Sequence, residues 1–352
     1  MGKYCCFLHP AIDYSEKSLT DTCPKCGKEY QFPLVEYPKE IIHPTTGVKY
    51  SVRKAVGRGF YGATYLCTKS DGIIDDQDTL LKISPVSVYE VFHKDFKADC
   101  KLHAQLARRS EHLVPLHTAF QASIPFGDTI IDCYITELEY IEGVTLEEYL
   151  KDSHNISPQK CAQIAIDILV IWEELKRQNA FHNDLHGGNL MVETLSSKLR
   201  RVDALCPSIR VKAIDLDSAA DESLSTETRT GDQTYISLHI RNLAELLQKQ
   251  YKDTAIIEDS DFRVIETLNK ISNILLPSSQ NVDTPDIREL IHMIQCDLSS
   301  DISYSPWMHE FSLAQINEGL NAQTIHTCNI PKLLVDPEEQ WISEISCKDP
   351  QL

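Results

Sequence analysis

The sequence predicts an α+β protein whose first part is rich in strands and whose second part is mostly helical. Short apolar runs that suit strands, such as Thr79–Ile83, dominate residues 48 to 138. Longer runs with an apolar stripe of helical spacing follow from Ser157 onward. The first forty residues differ from both, because they carry Cys and His in two short paired groups and therefore predict a small separate module.

Individual elements follow from local patterns. Tyr50–Val52 and Thr64–Leu66 are predicted to be the two strands of a hairpin around a glycine-rich turn. One helix is predicted over Val88–Arg108. Ser157-Pro158 supplies a cap and a first-turn proline for a long helix, because serine accepts a free N–H and proline needs no acceptor there. Another helix is predicted over Ile236–Leu247.

Length and charge limit the classes of function. A chain of 352 residues can hold a domain of about 250 to 280 residues and one small module. The 34 Lys and Arg residues face 52 Asp and Glu residues, a net charge of −18 that argues against a nucleic-acid-binding surface. No apolar run approaches the roughly 18 to 20 residues of a membrane span, and no secretory signal is visible. We therefore expect a cytoplasmic protein without nucleic-acid or membrane partners.

The N-terminal module carries two pairs of candidate metal ligands. Cys6 and His9 form the first pair, with Cys5 as an alternative to Cys6, and Cys23 and Cys26 form the second. Two short loops that each supply two N or S ligands are a common way to complete tetrahedral zinc. Because the chain lacks a signal segment, its twelve cysteines favour metal ligands or free thiols over disulfides. The pattern predicts structural Zn²⁺ in a zinc-ribbon-like module.

The strongest chemical signal is the segment His182–Asn189 together with Asp215. It supplies Asp184, then Asn189 five residues later, and a second carboxylate, that of Asp215, behind an apolar run. One carboxylate can orient and deprotonate a hydroxyl, while an amide oxygen and a second carboxylate can hold Mg²⁺ or Mn²⁺ on phosphates. The set therefore predicts phosphoryl transfer from ATP.

A second signal precedes it in the chain. Gly57, Gly59 and Gly62 have G-x-G-x-x-G spacing, which lets backbone approach phosphates without interference from a Cβ. The same spacing occurs in dinucleotide-binding folds, where a helix follows; here a strand follows, which favours a hairpin. Lys82 lies in the next apolar strand. It is either a strand-edge charge or a phosphate ligand, and its place after the glycines favours the ligand.

In their order over roughly residues 48 to 250, these motifs resemble the protein kinase-like superfamily. The resemblance implies a two-lobed fold with a β-rich N-lobe and a helical C-lobe, preceded here by the zinc-ribbon-like module. It implies that Gly57, Gly59 and Gly62 form the nucleotide loop and that Lys82 holds the α- and β-phosphates. It also implies Asp184 as the catalytic-loop aspartate, with metal-binding roles for Asn189 and Asp215.

The resemblance also identifies residues that would line the adenine site. Leu138 has the gatekeeper position, and Glu139 and Ile141 belong to the hinge, whose backbone would pair with adenine. The acidic residue of the first lobe's helix is Asp99, one methylene shorter than the usual glutamate, with Glu90 as a weaker alternative.

Several departures from the family pattern indicate an atypical member. His186 replaces the usual lysine, and Asp215-Leu-Asp217 replaces Asp-Phe-Gly. No Ala-Pro-Glu triplet follows, while Ser196–Arg210 is an apparent insertion. We predict an atypical Ser/Thr protein kinase. The alternatives are a small-molecule kinase of the aminoglycoside or choline kinase-like type and a nucleotide-binding pseudokinase scaffold.

Four domains are expected along the chain, and the first would recruit a protein substrate or partner. They are the zinc-ribbon-like module at residues 1–40, the N-lobe at 41–141, the C-lobe at 142–325 and a tail at 326–352. The hydroxyl-rich segment Asp221–Thr230 follows the metal aspartate closely and is a candidate for self-phosphorylation.

Overall fold

The structure is a computed structural model in which part of the chain is described. The described residues are 4–5, 22, 32–33, 38–58, 62–70, 77–91, 95–108, 110–126, 129–152, 156–195, 209–221, 226–252, 259–276 and 285–299. The predicted tail, residues 196–208 of the apparent insertion Ser196–Arg210 and the four zinc ligands lie outside these residues.

Strands dominate the first half of the described chain and helices dominate the second. The strands are β1 (Tyr4–Cys5), β2 (Phe32–Pro33), β3 (Glu40–Ile42), β4 (Lys49–Arg58), β5 (Ala63–Ser70), β6 (Gln77–Pro85), β7 (Leu116–Phe126), β8 (Thr129–Glu139), β9 (Gly143–Thr145), β10 (Ala180–Phe181), β11 (Leu190–Thr194), β12 (Ile209–Ala213) and β13 (Ala220–Asp221). The helices are α1 (Val86–Val91), α2 (Phe96–Ala107), α3 (Leu146–Asp152), α4 (Pro158–Arg177), α5 (Thr226–Tyr251), α6 (Asp259–Leu275) and α7 (Ile287–Ser299).

The described residues fall into two compact units. The first contains the residues up to Gln105 together with Pro115–Tyr140, and the second contains Leu106–Val114 and the residues from Ile141 onward. The chain passes from the first unit to the second after Tyr140, and the four predicted domains remain predictions. The α+β composition expected from the sequence is present, with strands mainly in the first unit and helices mainly in the second.

The first unit is built on one antiparallel sheet of six strands. The strand order is β3, β4, β5, β6, β8, β7, so four of the five pairings join strands that follow one another closely along the chain. One face of the sheet is apolar, as the alternation in β6 and β8 requires, because neighbouring residues of a strand point to opposite faces. Tyr50, Leu81, Ile83 and Ile135 are among the buried side chains of this face.

A buried carboxylate interrupts this apolar face. Glu137 accepts a hydrogen bond from the Tyr50 hydroxyl at 2.8 Å and an ion-paired bond from Lys69 Nζ at 2.8 Å. A buried charge is tolerated only when it is paired and hydrogen-bonded in this way. Burial, together with the adjacent Glu137, raises the pKa of the Tyr50 phenol, which therefore remains the donor.

The prediction of one continuous helix over Val88–Arg108 is wrong, because the structure has two helices there. The first ends at Val91 and the second begins at Phe96. Asp95 explains the new start: its Oδ1 accepts the backbone N–H groups of Lys97 and Ala98 at 3.0 and 3.1 Å. An aspartate that satisfies free N–H groups in this way starts a helix where the apolar spacing alone would continue one.

The second unit is organised around α4. Ser157 caps this helix by accepting the N–H of Lys160, and Pro158 occupies the first turn, as predicted. The predicted apolar stripe is buried, and α4 packs on β12 and on α5, α6 and α7. Asp167 ties the helix to β12 of the same unit, because its Oδ2 accepts the Val211 N–H at 2.8 Å. Burial raises the pKa of Asp167.

The helix expected over Ile236–Leu247 is longer than predicted. It begins at Thr226 and ends at Tyr251. The last part of the hydroxyl-rich segment, residues 226–230, therefore has helical backbone. None of the helices in the described part of the chain combines the length and apolar character that a membrane crossing needs.

Candidate active site

The predicted catalytic loop begins directly after β10. His182 is fully buried, and its Nε2 lies 2.9 Å from the carbonyl oxygen of Ile214. Because a carbonyl only accepts hydrogen bonds, Nε2 carries the proton. His182 therefore links the start of the loop to the segment that leads into Asp215.

A buried carboxylate of α5 holds the backbone of the loop by hydrogen bonds. Asp232 is fully buried, and its two oxygens accept the backbone N–H of His182 at 2.7 Å and that of Asn183 at 2.9 Å. Burial raises the pKa of Asp232, an effect opposed by His182 and by the two backbone hydrogen bonds. The carboxylate thus fixes the backbone of the two residues that precede Asp184.

Asn183 connects the loop to the segment after the predicted metal aspartate. Its backbone is left-handed, with φ of 63°, a conformation that asparagine adopts more readily than most residues. Its Nδ2 donates to the carbonyl oxygen of Ser218 at 2.9 Å. The loop and the Asp215 segment are therefore joined at both His182 and Asn183.

Asp184 and Asn189 form a hydrogen-bonded pair. The Asn189 Nδ2 donates to the backbone oxygen of Asp184 at 2.8 Å and to its carboxylate Oδ2 at 3.2 Å. Since both partners only accept hydrogen bonds, the nitrogen must face them. The amide oxygen of Asn189 is consequently turned away from Asp184, as a metal ligand would need to be.

Asp215 lies next to Asn189 across the end of a two-stranded ladder. Strands β11 and β12 pair with Leu190 opposite Ala213, and the Ile214 N–H donates to the Asn189 carbonyl at 2.9 Å. Asp215 is the next residue and has a left-handed backbone, with φ of 60°. The structure therefore brings Asp184, Asn189 and Asp215 together, as the motif spacing required.

Three polar residues that support the loop were not among the predicted site residues: Asp232, Asn183 and His239. His239 lies in α5 and its Nε2 is 2.8 Å from the carbonyl oxygen of Leu185; burial lowers its pKa. Asp232 and His239 share one stripe of α5 with buried Ile236 and Ile240. The sequence contained one indication of this role, because Asp232 and His239 are polar residues on an otherwise apolar stripe of helical spacing.

The remaining predicted nucleotide residues lie mostly in the first unit. Lys82 is buried in β6, directly opposite Thr64 of β5. Leu138 is buried in β8, and Glu139 ends that strand with its N–H donating to the Pro115 carbonyl at 3.2 Å. In the second unit, Ile141 is buried.

The two acidic candidates of the first unit have different surroundings. Asp99 lies on α2 and accepts a hydrogen bond from the Tyr89 hydroxyl at 2.9 Å. Glu90 lies on α1 and is exposed. Asp99 therefore lies on the longer of the two helices, with its carboxylate held by a tyrosine hydroxyl.

The glycine-rich loop joins β4 and β5, which form the predicted hairpin. A Cβ on Gly62 would lie 2.2 Å from the carbonyl oxygen of Ile83 and 2.6 Å from Ser84 Oγ. Gly57, in contrast, has no heavy atom within 4 Å of the place where a Cβ would be. Gly62 is thus needed for strand packing, a reason separate from any approach to phosphates. Gly59 lies outside the described residues.

The predicted Mg²⁺ and Zn²⁺ sites differ in how much of each lies within the described residues. Within the described ranges, no three His, Cys, Asp or Glu residues form a metal-holding group. Mg²⁺ needs no such group, because it keeps waters and takes one or two protein ligands beside substrate phosphates. The zinc ligands Cys6, His9, Cys23 and Cys26 lie outside the described residues.

Comparison with known proteins identifies the family. A model of the protein kinase domain matches residues 50–254, more than half of the 352 residues. The chain therefore belongs to the protein kinase domain family.

Similar proteins include three proteins named as serine/threonine kinases, from three organisms. The serine/threonine-protein kinase YabT of Bacillus subtilis is 28% identical over 160 residues, which cover 45% of this chain and 42% of that protein. Serine/threonine-protein kinase tousled-like 1-B of Danio rerio is 26% identical over 158 residues, 43% of this chain and 19% of that protein. Probable serine/threonine-protein kinase mkcF of Dictyostelium discoideum is 24% identical over 171 residues, 48% and 23% respectively. The similarity spans less than half the length of each relative.

The two described glycines of the loop provide a test of the packing argument. Gly62→Ala should lower the free energy of unfolding by about 1 to 3 kcal/mol, because the added methyl meets backbone that cannot move aside. The matched control Gly57→Ala should change it by less than about 0.5 kcal/mol, because the methyl enters open space. Urea denaturation without nucleotide measures both. Equal stability of the two variants would contradict the assigned role of Gly62.

Proposed function

We propose that this protein is an ATP-dependent serine/threonine protein kinase of atypical type that uses Mg²⁺, or alternatively Mn²⁺. The observation that carries the proposal is the Asp184–Asn189 pair, in which the Asn189 amide oxygen is turned away from Asp184, while the Asn189 carbonyl accepts the N–H of Ile214, the residue before Asp215. Membership of the protein kinase domain family and similarity to proteins named serine/threonine kinases support a protein hydroxyl as the acceptor.

Each residue of the centre has one role in the proposed reaction. The Asp184 carboxylate, about half exposed, orients the acceptor hydroxyl and takes its proton. Lys82 and the amides of the glycine loop bind the nucleotide phosphates. Asn189 Oδ1 and the Asp215 carboxylate would hold Mg²⁺, which supplies neutralisation of the charge on the transferred phosphoryl group. Catalysis then consists of positioning and charge stabilisation.

A small-molecule kinase is the second candidate, and one observation favours it. Helix α5 begins at Thr226, eleven residues after Asp215, and its Asp232 already supports the catalytic loop. The chain between the metal aspartate and this helix is therefore short, which leaves little backbone to bind a peptide. A pseudokinase is disfavoured, because Lys82, Asp184, Asn189 and Asp215 are all present.

The acceptor can be identified in one assay with labelled ATP. Casein and the protein itself serve as protein acceptors, and choline and aminoglycosides serve as small acceptors. A protein kinase should label proteins, and mass spectrometry should find phosphate on hydroxyls of residues 221–237 or of the added substrate. Labelling of the small compounds alone would establish the second candidate instead.

We also propose structural zinc in the N-terminal module. Strands β1 and β2 pair antiparallel, with Tyr4 opposite Pro33 and Cys5 opposite Phe32. Both predicted ligand pairs lie between these two paired strands in the sequence, which supports binding of one shared ion. The module would recruit the protein substrate or partner. A cytoplasmic location and the absence of nucleic-acid and membrane partners remain predictions.

The catalytic assignment predicts the effect of one isosteric change. Asp184→Asn should lower phosphoryl transfer at least about 10²-fold, because an amide cannot accept the hydroxyl proton. Nucleotide affinity should stay close to that of the wild type, because the changed group acts on the acceptor. Turnover and nucleotide titration measure the two effects.

The control for this change is Asp286→Asn, far along the chain at the start of α7. Asp286 accepts the Arg288 N–H at 2.9 Å, and asparagine caps a helix equally well. This variant should keep full activity. Unchanged turnover in Asp184→Asn would refute the catalytic role.

Zinc content tests the N-terminal module. Freshly purified protein should contain about one zinc per chain, and replacement of Cys23 and Cys26 by serine should remove it. Cys296→Ser should not, because Cys296 lies on α7, outside the predicted set. Elemental analysis measures all three. Protein that holds no zinc after expression with zinc supplied would contradict the proposal.

A further inference from the structure

His186 has a side chain whose two nitrogens face different partners. Its Nδ1 accepts the backbone N–H of Gly188 at 3.0 Å, which caps the short 3-10 turn Gly187–Asn189. Its Nε2 lies 3.8 Å from Oδ2 of Asp184. Since Nδ1 accepts a hydrogen bond in the neutral ring, the proton resides on Nε2, the ring nitrogen that lies 3.8 Å from the carboxylate.

The ring can occupy this place only because residue 188 is glycine. A Cβ on Gly188 would lie 2.8 Å from Cε1 and 3.0 Å from Nδ1 of His186. A Cβ on Gly187, by comparison, would come no closer than 3.4 Å to any atom, an ordinary contact with Glu147. The two neighbouring glycines therefore differ, and only the second leaves room for the imidazole.

Two side-chain nitrogens lie near the same oxygen of Asp184. Asn189 Nδ2 donates a hydrogen bond to Oδ2 at 3.2 Å, whereas His186 Nε2 lies 3.8 Å from it, near enough for electrostatic attraction but too far for a direct hydrogen bond. The second oxygen, Oδ1, makes none of the hydrogen bonds found in the described residues and remains for the acceptor hydroxyl. A carboxylate held through one oxygen presents the other in a fixed direction.

From this arrangement we infer that His186 is a positioning residue for the proposed phosphoryl transfer. The ring holds Asp184 in its productive rotamer through an Nε2–H whose tautomer is set by the Gly188 amide. The ring does not act as the base, because its accepting nitrogen is occupied by the backbone. The inference rests on the proposed function. It adds His186 to the residues with a role in the reaction, as one that acts on Asp184 and not on the substrate.

The pair Gly188→Ala and Gly187→Ala tests this inference without altering any side chain of the centre. The methyl of Gly188→Ala should displace the flexible ring and lower kcat about 10²-fold, the typical cost of a misplacement of about 1 Å. KM for ATP should remain unchanged, because Lys82 and the glycine loop are untouched. Gly187→Ala should keep the wild-type kcat. Equal kcat for both variants would overturn the inference.

Two substitutions of His186 separate positioning from capping. His186→Asn places an amide oxygen near Nδ1 and keeps the cap, but it has no donor at the place of Nε2. His186→Gln keeps a donor at that reach and loses the cap. Positioning predicts the larger loss of kcat in His186→Asn and the larger fall in melting temperature in His186→Gln. If His186→Asn keeps full kcat, the residue is only a cap.

The tautomer provides a readout that is independent of activity. Long-range ¹H–¹⁵N correlation spectra of the wild type at neutral pH should show the His186 proton on Nε2. A proton on Nδ1 would overturn the inference whether or not the protein transfers phosphate. A wild-type protein with the Nε2–H tautomer but no transfer to any acceptor would instead refute the proposed function.

Discussion

The buried carboxylate of Asp232 is the interaction on which the rest of the site depends. It accepts two consecutive backbone N–H groups, those of His182 and Asn183, at the point where the chain turns toward Asp184. Each buried N–H left without an acceptor would cost about 1 to 3 kcal/mol, so the loop has one strongly favoured backbone path. From this fixed start, His182 reaches the Ile214 carbonyl and Asn183 the Ser218 carbonyl. Through these contacts, the Asp232 side chain of α5 fixes the positions of both the catalytic loop and the segment Ile214–Ser218 that contains Asp215.

The chemistry follows from how each polar group is already used. The Asn189 side-chain nitrogen donates to Asp184, so the amide oxygen remains available to a metal. The His186 Nδ1 accepts the Gly188 N–H, so the proton on Nε2 is on the side of Asp184. Donors and acceptors are thus assigned before any substrate binds. Such preorganisation removes the cost of reorienting dipoles during the reaction. It also explains why a glycine is needed at position 188, where the imidazole ring fills the space of a side chain.

Much of this arrangement could be predicted from the sequence, and the failures have physical causes. The β4–β5 hairpin, the cap of α4 and the grouping of Asp184, Asn189 and Asp215 followed from local spacing and turn chemistry. Asp95 divided a predicted helix, because capping hydrogen bonds outweighed a continuous apolar pattern. Asp232 and Asn183 were missed because their value comes from partners 49 to 50 and 35 residues away. Contacts at such separation leave no periodic signal near either partner. Gly62 was assigned to phosphates alone, although the neighbouring strand also excludes a side chain there.

Hydrogen exchange at the amides of His182 and Asn183 tests the central claim most directly. In the wild type both N–H groups should exchange slowly, because a buried carboxylate holds them. In Asp232→Asn, an NH₂ donor replaces one of the two accepting oxygens and faces a backbone N–H, so at least one of the two amides should exchange much faster. Phosphoryl transfer should be lost. The other protected amides of the protein should keep their slow exchange. Unchanged protection at both positions, together with wild-type transfer, would contradict the claim that Asp232 sets the site.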